Sequence, residues 1–458
     1  MGQTNARPRR RTTRQPLDRL SAEDVEILKR EAGPIRGHTC KVVVLEPPRK
    51  GGLPTVEQLR ASIAARLDAA PRMRQRLAYT PLHVAAPAWL DDSEFDLARH
   101  VIAVPTEGPV GRAGLEAVAA GLMTERLDPA HPLWQLNVVD RLDDGSMALI
   151  WRIHHCMADG ATCMRLGGAV LWSDSADAAP LPAPEWMACQ GPSSVWLLVR
   201  GLADRARPRH HPHRPAPSLR ALRASAAVIR RELRPEAAVT ALAKRAGSAR
   251  RVAFAAAPLA DAKRAGKSVD AAITLNDVVL ALVAGGMRAW LLHRHSPTDG
   301  IRAKVPVNLH RADEADGVAN RDSCFFVDLP VAEPDPVKRL QAINRETRER
   351  KLNHDAETLY RLGAHPFVAR WEMNPRVFTF NISNVRGPAH DVYVLGSRVR
   401  EMYSLAEIAP RHALRLAVVS AAGSLFFGLC ADSDDVPDLH VFADGIERSA
   451  QELLAAVG

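Results

Sequence analysis

The run IWRIHHCMADGATCMRL, residues 150–166, places two adjacent histidines, His154 and His155, three residues ahead of an Asp-Gly pair, Asp159 and Gly160. A β-rich stretch, SMALIWRIHH, leads into it, and ATCMRLGGAVLW continues from it at helical spacing, so the motif stands where a strand ends. Neighbouring side chains on a strand point to opposite faces, so His154 and His155 cannot readily share one metal ion. No HExxH pattern or Cys/His cluster stands nearby to complete a site. The same alternation aims Cys156 away from His155, and the chain has no G-x-S-x-G elbow, so a covalent nucleophile is a poor reading. A general base is left, because a neutral imidazole can take a proton from an attacking hydroxyl or amine and return it to the leaving group. One histidine suffices for that work, and the other faces the core or orients the loop. Asp159 either bonds the imidazole and sets its tautomer or locks the loop through an ion pair. Gly160 suits a tight bend or a close approach by substrate. A purely structural alternative, a hydrogen-bonded histidine pair at a strand end, stays open on spacing alone.

Outward from the motif, the 458 residues alternate between the two periodicities. HTCKVVVLE, PLWQLNVVDRL and SMALIWRIHH read as strands, while TVEQLRASIAARLDAA and GRAGLEAVAAGLMTERL read as helices. Farther on, TLNDVVLALVAGGMRAWLLHR reads as a helix and IRAKVPVNL and CFFVDLPV as strands. Two helices are expected between Pro336 and Trp371, then strands in VFTFNISNV, SRVREMYSL, LRLAVVS and LFFGLC, and a last helix over DLHVFADGIERSAQELLAAV. The composition, 47% hydrophobic and 25% charged, supports a large core. Each half reads as a mixed α/β unit.

Between the halves the composition changes. Residues 200–251 hold fourteen Lys or Arg against three Asp or Glu, more positive charge than the net +9 of the whole chain. SDSADAAPLPAPEW and RARPRHHPHRPAPS are too rich in proline for helix interiors. SSVWLLVRGLAD between them is expected as a short apolar helix. Ser218 is expected to cap another, with Leu219, Leu222, Ala226, Ile229 and Leu233 on one face and arginines on much of the other. A basic amphipathic helix of this kind suits an anionic membrane surface, and a helix packed on its own protein with a solvated basic face is the plainer alternative. No nucleic-acid-binding module accompanies the charge. The basic N-terminus lacks the apolar stretch of a secretory signal. No apolar run is read as approaching the roughly 18 residues of a membrane span, so a soluble or peripheral protein is expected. The six cysteines show no CxxC pairing and read as reduced thiols of a cytoplasmic protein.

Taken together, HHCMADG, LDPAHPLWQLNVVDRL, TLNDVVLALVAGGMRAWL, VPVNLH, NISNVRGP and FGLCADSDDVPDL resemble, in order from about Pro16 to the C-terminus, the segments of bacterial wax ester synthase/diacylglycerol O-acyltransferases, within the CoA-dependent acyltransferase superfamily. Arg386 stands where that family's turn has Pro, and GVANRDS is looser than its Leu-Gly-Asn segment. The resemblance implies an α/β fold of two similar mixed domains with an active-site tunnel between them. They would span residues 16–177 and 252–458, after a basic N-terminal segment 1–15 and around a linker at 178–251. It implies acyl-CoA as substrate with no cofactor and no metal, and diacylglycerol or a long-chain alcohol as acceptor. His155 would be the base, acting without a covalent acyl-enzyme and supported by His154 and Asp159. Asn276 and Asn384 are candidates by motif for binding the oxyanion, with helix capping the alternative for Asn276 and Asp277. It further implies a cytoplasmic protein, peripheral to the inner face of the plasma membrane or to lipid droplets, with no nucleic acid as partner. A carrier-protein-dependent condensation or polyketide-associated acyltransferase, and a lipid-binding protein without turnover, are the competing readings.

Overall fold

The computed structural model describes residues 17–48, 51–178, 182–206, 219–238, 240–308, 322–353, 355–363, 371 and 373–458. The expected 1–15 segment, the Pro/His-rich run up to Ser218 with its expected cap, and most of GVANRDS lie outside these residues.

The first half runs through α1 (Ala22–Arg30), β1 (His38–Leu45), α2 (Val56–Ala64), β2 (Gln75–Ala78), β3 (Ala88–Asp91), α3 (Leu97–His100), β4 (Val101–Ala103), α4 (Arg112–Thr124), β5 (Trp134–Val139), β6 (Met147–His154) and α5 (Gly160–Val170). Helices α6 (Ser194–Ala206) and α7 (Leu219–Glu232) connect it to the second half. There follow β7 (Arg250–Pro258), α8 (Leu259–Val269), α9 (Leu275–His293), β8 (Arg302–Asn308), β9 (Asp322–Asp328), α10 (Pro336–Leu352), α11 (Asp355–Gly363), β10 (Phe380–Arg386), β11 (Tyr393–Val394), β12 (Ser397–Ala406), β13 (Leu414–Ala421), β14 (Ser424–Asp432) and α12 (Leu439–Val457).

Two six-stranded sheets result, ordered β11-β12-β1-β6-β5-β4 and β7-β14-β13-β10-β8-β9. All eight residues of β6 are buried, and the strand lies between antiparallel β1 and β5. A strand covered on both faces carries a continuous apolar run rather than an alternating one, and ALIWRI has that form. Its one charge, Arg152, donates to the carbonyl of Leu122 at 2.7 Å and to Glu125 Oε2 at 3.2 Å.

The expected division of the chain does not match the sheets. β12, from the second half of the sequence, pairs along β1, with Thr39 opposite Ala406 and Val43 opposite Met402. The boundary expected at 251/252 falls inside β7, which pairs with β14 along its full length. The core around the first sheet also takes in Phe254, Val419 and Phe426 of the second. The inner faces of the two sheets therefore form one continuous apolar layer, while α8, α9, α10 and α12 cover the back of the second sheet. Arg250 ties the halves: its Nε lies 2.9 Å from Glu407 Oε1 in a buried ion pair within the second half, and it also donates to the carbonyl of Pro34 in the first at 2.8 Å.

Two further expectations need correction. Helix α9, 19 residues long, is by length and composition apolar enough to cross a membrane, although no such run is anticipated above. It packs instead between neighbouring helices, with Val278 through Met287 buried, and a helix apolar all round suits such a position. On α7, Ala226 is exposed rather than on the apolar face, and among the described side chains Val228, Glu232 and, just past the helix, Leu233 are buried. Nor is the positive charge there wholly free. Arg231 pairs with Asp355 and Arg234 with Asp328, so part of the expected membrane-binding charge holds α7 against its own protein.

Candidate active site

The chain leaves β6 at His154 and turns at once. The carbonyl of His154 accepts from Met157 N at 2.9 Å and Ala158 N at 3.3 Å, and α5 starts at Gly160. This tight return brings both histidines, Asp159 and Gly160 into one corner and divides their roles.

His154 is buried, and its ring is held through Nδ1. Its Nδ1 accepts from Cys156 N at 3.2 Å and lies 2.9 Å from Cys156 Sγ. Burial pushes the Cys156 thiol pKa far up, so the sulfur keeps its proton and donates it to the ring. With Nδ1 accepting, the ring hydrogen lies on Nε2, which is buried without a hydrogen-bond partner among the described residues and stands 3.5 Å from Glu31 Oε2. Gly37, with φ +68°, permits this packing, since a Cβ there would lie 2.7 Å from His154 Nε2.

His155 points the other way. Its backbone N–H donates to the carbonyl of Gly37 at 2.8 Å, its side chain is partly exposed, and its Nδ1 is buried without a partner among the described residues. Burial, and then the Arg415 guanidinium, push its pKa down to about 4, against a weaker upward pull from its own carbonyl and from Asp159. The ring is consequently neutral near pH 7, the state a general base requires.

Asp159 caps α5. Its backbone is extended, at φ −77° and ψ −177°, and its Oδ1 accepts from Thr162 N at 2.6 Å. Neither the imidazole hydrogen bond nor the ion pair weighed for it is among the described contacts, and its influence on His155 is through charge. Gly160 answers a close approach, as expected, but the neighbour is protein. A Cβ there would meet Val385 Cγ2 of β10 at 2.7 Å, so the motif is seated against a strand of the second half.

The asparagine candidates separate from this corner. Phe380 and Ile382 of β10 enter the core behind the second sheet, while Val385 meets Gly160. Strand alternation puts Asn384 with the former pair, on the face away from Gly160, and it is exposed. Asn381 has the parity of Val385, and its Oδ1 is buried without a partner among the described residues. Asp277 is structural: with Thr274 it forms a capping box on α9, and it accepts from Asn344 Nδ2 at 2.9 Å and Thr347 Oγ1 at 2.6 Å. Asn276 stands beside it, half-buried in the first turn of a helix that packs against α8, α10 and α12.

Residues not singled out in the sequence complete the corner. His38 faces His154 across the β1–β6 pair, and burial, then Arg152, lower its pKa to about 3. Lys41, fully buried, donates from Nζ to Ser404 Oγ at 2.5 Å. A lone apolar-flanked Lys or His in a strand run is the signal that could have marked them. A cleft of about 760 Å³ opens between α4 and β7, reaching Arg36 next to Gly37 and also lined by Glu116, Arg251 and His440.

Two mixed α/β halves meeting at a strand-end histidine constitute a fold of the CoA-dependent acyltransferase type. The solved wax ester synthase/diacylglycerol acyltransferase from Marinobacter aquaeolei VT8 superposes with a TM-score of 0.69 at 23% identity, covering 96% of this chain and all of that one (100%). The starter condensation domain of rhizomide synthetase, solved with C8-CoA and Leu-SNAC, is similar at a TM-score of 0.58 and 14% identity, covering 96% and 94%. Two Mycobacterium tuberculosis proteins named as diacylglycerol O-acyltransferases are each 30% identical, one over 96% of this chain and 96% of its own length, the other over 92% and 95%. Residues 20–279 match the wax ester synthase/diacylglycerol acyltransferase catalytic domain and residues 318–454 the C-terminal domain of the same family. The chain belongs to that family and is an acyltransferase.

Proposed function

We propose that this chain transfers a long-chain acyl group from acyl-CoA to the hydroxyl of diacylglycerol or a long-chain alcohol, with His155 as general base, at the cytoplasmic face of a membrane or lipid droplet. The observation that carries this reading is the unshared position of His155: neutral, partly exposed, and braced by a second histidine whose ring is already engaged. The acceptor oxygen attacks the thioester carbonyl as its proton passes to His155. The tetrahedral intermediate then expels the CoA sulfur, which takes the proton back, leaving ester and CoA thiol with no acyl-enzyme. The cleft at Arg36, Arg251 and His440 supports the donor side, because its basic lining suits the phosphates of CoA. The names of the M. tuberculosis relatives support diacylglycerol as acceptor.

The test is His155→Ala, with CoA thiol release followed over a panel of diacylglycerols and alcohols. Turnover is expected to fall by about 100-fold or more with the fold retained by circular dichroism. A variant that turns over like wild type removes His155 from the reaction.

A further inference from the structure

Helix α6 buries Leu197 and Gly201 against the first half, where Thr80, Val84 and Ala85 lie 3.0–3.2 Å from the position of a Gly201 Cβ. At 100° per residue, Val195, Val199 and Leu202 fall within about 60° of one another on the opposite side. They are 71%, 60% and 50% exposed. An amphipathic helix on a protein surface turns polar residues outward, and this one turns Val195, Val199 and Leu202 outward instead. The turn beneath it continues the patch. Leu82 is 84% exposed and has φ +56°, a left-handed conformation unusual for so bulky a residue. A strained backbone that holds a leucine in the open suggests something for the leucine to enter.

The charge around the patch identifies the occupant. Arg200 and Arg205 flank the stripe and are exposed. Both ends of described chain also meet here, since Arg19 reaches Asp204 of α6 at 3.5 Å and donates to Thr80 Oγ1 at 3.2 Å. Beyond those ends, residues 1–16 contain five arginines and no acidic residue, and residues 207–218 contain three arginines, three histidines and no acidic residue. Neither segment has an apolar run that could cover the stripe. An apolar stripe edged by Arg19, Arg200 and Arg205, against the single carboxylate of Asp204 that Arg19 and Arg200 share, is the complement of an anionic lipid surface, with acyl chains for the stripe and headgroups for the arginines.

We infer that α6 and the Leu82 turn form the surface by which this chain docks on anionic lipid, in place of the arginine face of α7. Tyr79, on the strand side of the same turn, is 46% exposed and packs edge-on against His83, ring centroids 5.9 Å apart, which widens the surface. This deepens the membrane part of the function proposed above.

The test is flotation of the full chain with vesicles of phosphatidylcholine, with and without phosphatidylglycerol, at low and high salt. Acyl transfer to a water-soluble short-chain alcohol is measured in parallel. Wild type should float with the anionic vesicles, less so in high salt. The double variant Val199→Asp/Leu202→Asp should bind at least about tenfold more weakly, as expected for removing two inserted apolar side chains. Its turnover on the soluble alcohol should be unchanged. Leu82→Asp, on the turn rather than the helix, supplies an independent second variant. Flotation of both variants like wild type, or failure of wild type to float on any vesicle, overturns the assignment. A concentration-dependent dimer that the double variant abolishes also overturns it, since the occupant would then be a second copy of the chain. Loss of soluble transfer in His155→Ala with intact flotation, or the reverse, keeps this proposal separate from the catalytic one.

Discussion

Gly160→Ala tests whether the glycine of the motif makes room for substrate or for protein. A Cβ at 160 would lie 2.7 Å from Val385 Cγ2, whereas carbon atoms in contact sit about 3.5–4.0 Å apart, so an added methyl overlaps by about 1 Å. Valine is stiff at χ1 and cannot swing clear cheaply. Overpacking of this kind costs about 1–3 kcal/mol, and an alanine in the helix returns at most about 1 kcal/mol. The net loss should lower the melting temperature by roughly 1 °C per kcal/mol for a chain of this length, and transfer should weaken because α5 and β10 are pushed apart beside His155. Val385→Ala alone, which trims two methyls from a half-buried side chain, should cost about 1 kcal/mol. The double variant removes the methyl that the new Cβ strikes, so it should be more stable than additivity allows, by about 1–2 kcal/mol. Calorimetry of the four proteins, with CoA release on the same samples, measures the coupling. Strict additivity, with the double variant as inactive as Gly160→Ala, would refute the packing argument and return the space to substrate.

Asp159→Ala removes the cap on Thr162 N and should cost about 1 kcal/mol of stability, whereas Asp159→Ser, which can still cap, should melt near wild type. If the serine variant melts as low as the alanine variant, capping is not what Asp159 does for stability. Asp277→Ala breaks the capping box and strands Asn344 and Thr347, so it should cost about 2 kcal/mol or more, with turnover per folded molecule unchanged. Denaturant titration alongside activity checks it, and a fully stable, inactive variant contradicts it. The acid limb of the kcat/KM profile should fall near pH 4 rather than the ordinary 6.5, because His155 is held neutral by burial and Arg415. Arg415→Met removes a positive neighbour, so it should move that limb upward. A limb near 6.5 that ignores Arg415→Met would disconnect it from His155.

The readable parts of the sequence were those whose neighbours in space are neighbours in the chain. β6 and α5 announce themselves by a buried apolar run and a helical period, so the placement of His154 and His155 at a strand end was legible. How the two histidines are held was not legible from alternation alone. It depends on Cys156 and Gly37, and Gly37 lies over a hundred residues earlier. β7 escaped because RRVAFAAAP is rich in alanine, weak in β-propensity, and owes its extended form to pairing with β14. The seating of β12 on β1 escaped for a related reason: both read clearly as strands, but nothing local says that a strand near residue 400 completes the sheet holding the motif. That one crossing also accounts for the missed site residues. Lys41 acquires Ser404 through it, and the loop after β12 carries Glu407, which anchors Arg250. Asn384 shows the limit from the other side. Its motif pointed to the right strand, since β10 does touch Gly160, yet a shift of one residue along a strand exchanges the faces, and Val385 rather than Asn384 meets the corner. Proximity of a motif to a site is therefore readable at the resolution of an element, whereas a side chain's role is set by strand parity and by partners hundreds of residues away.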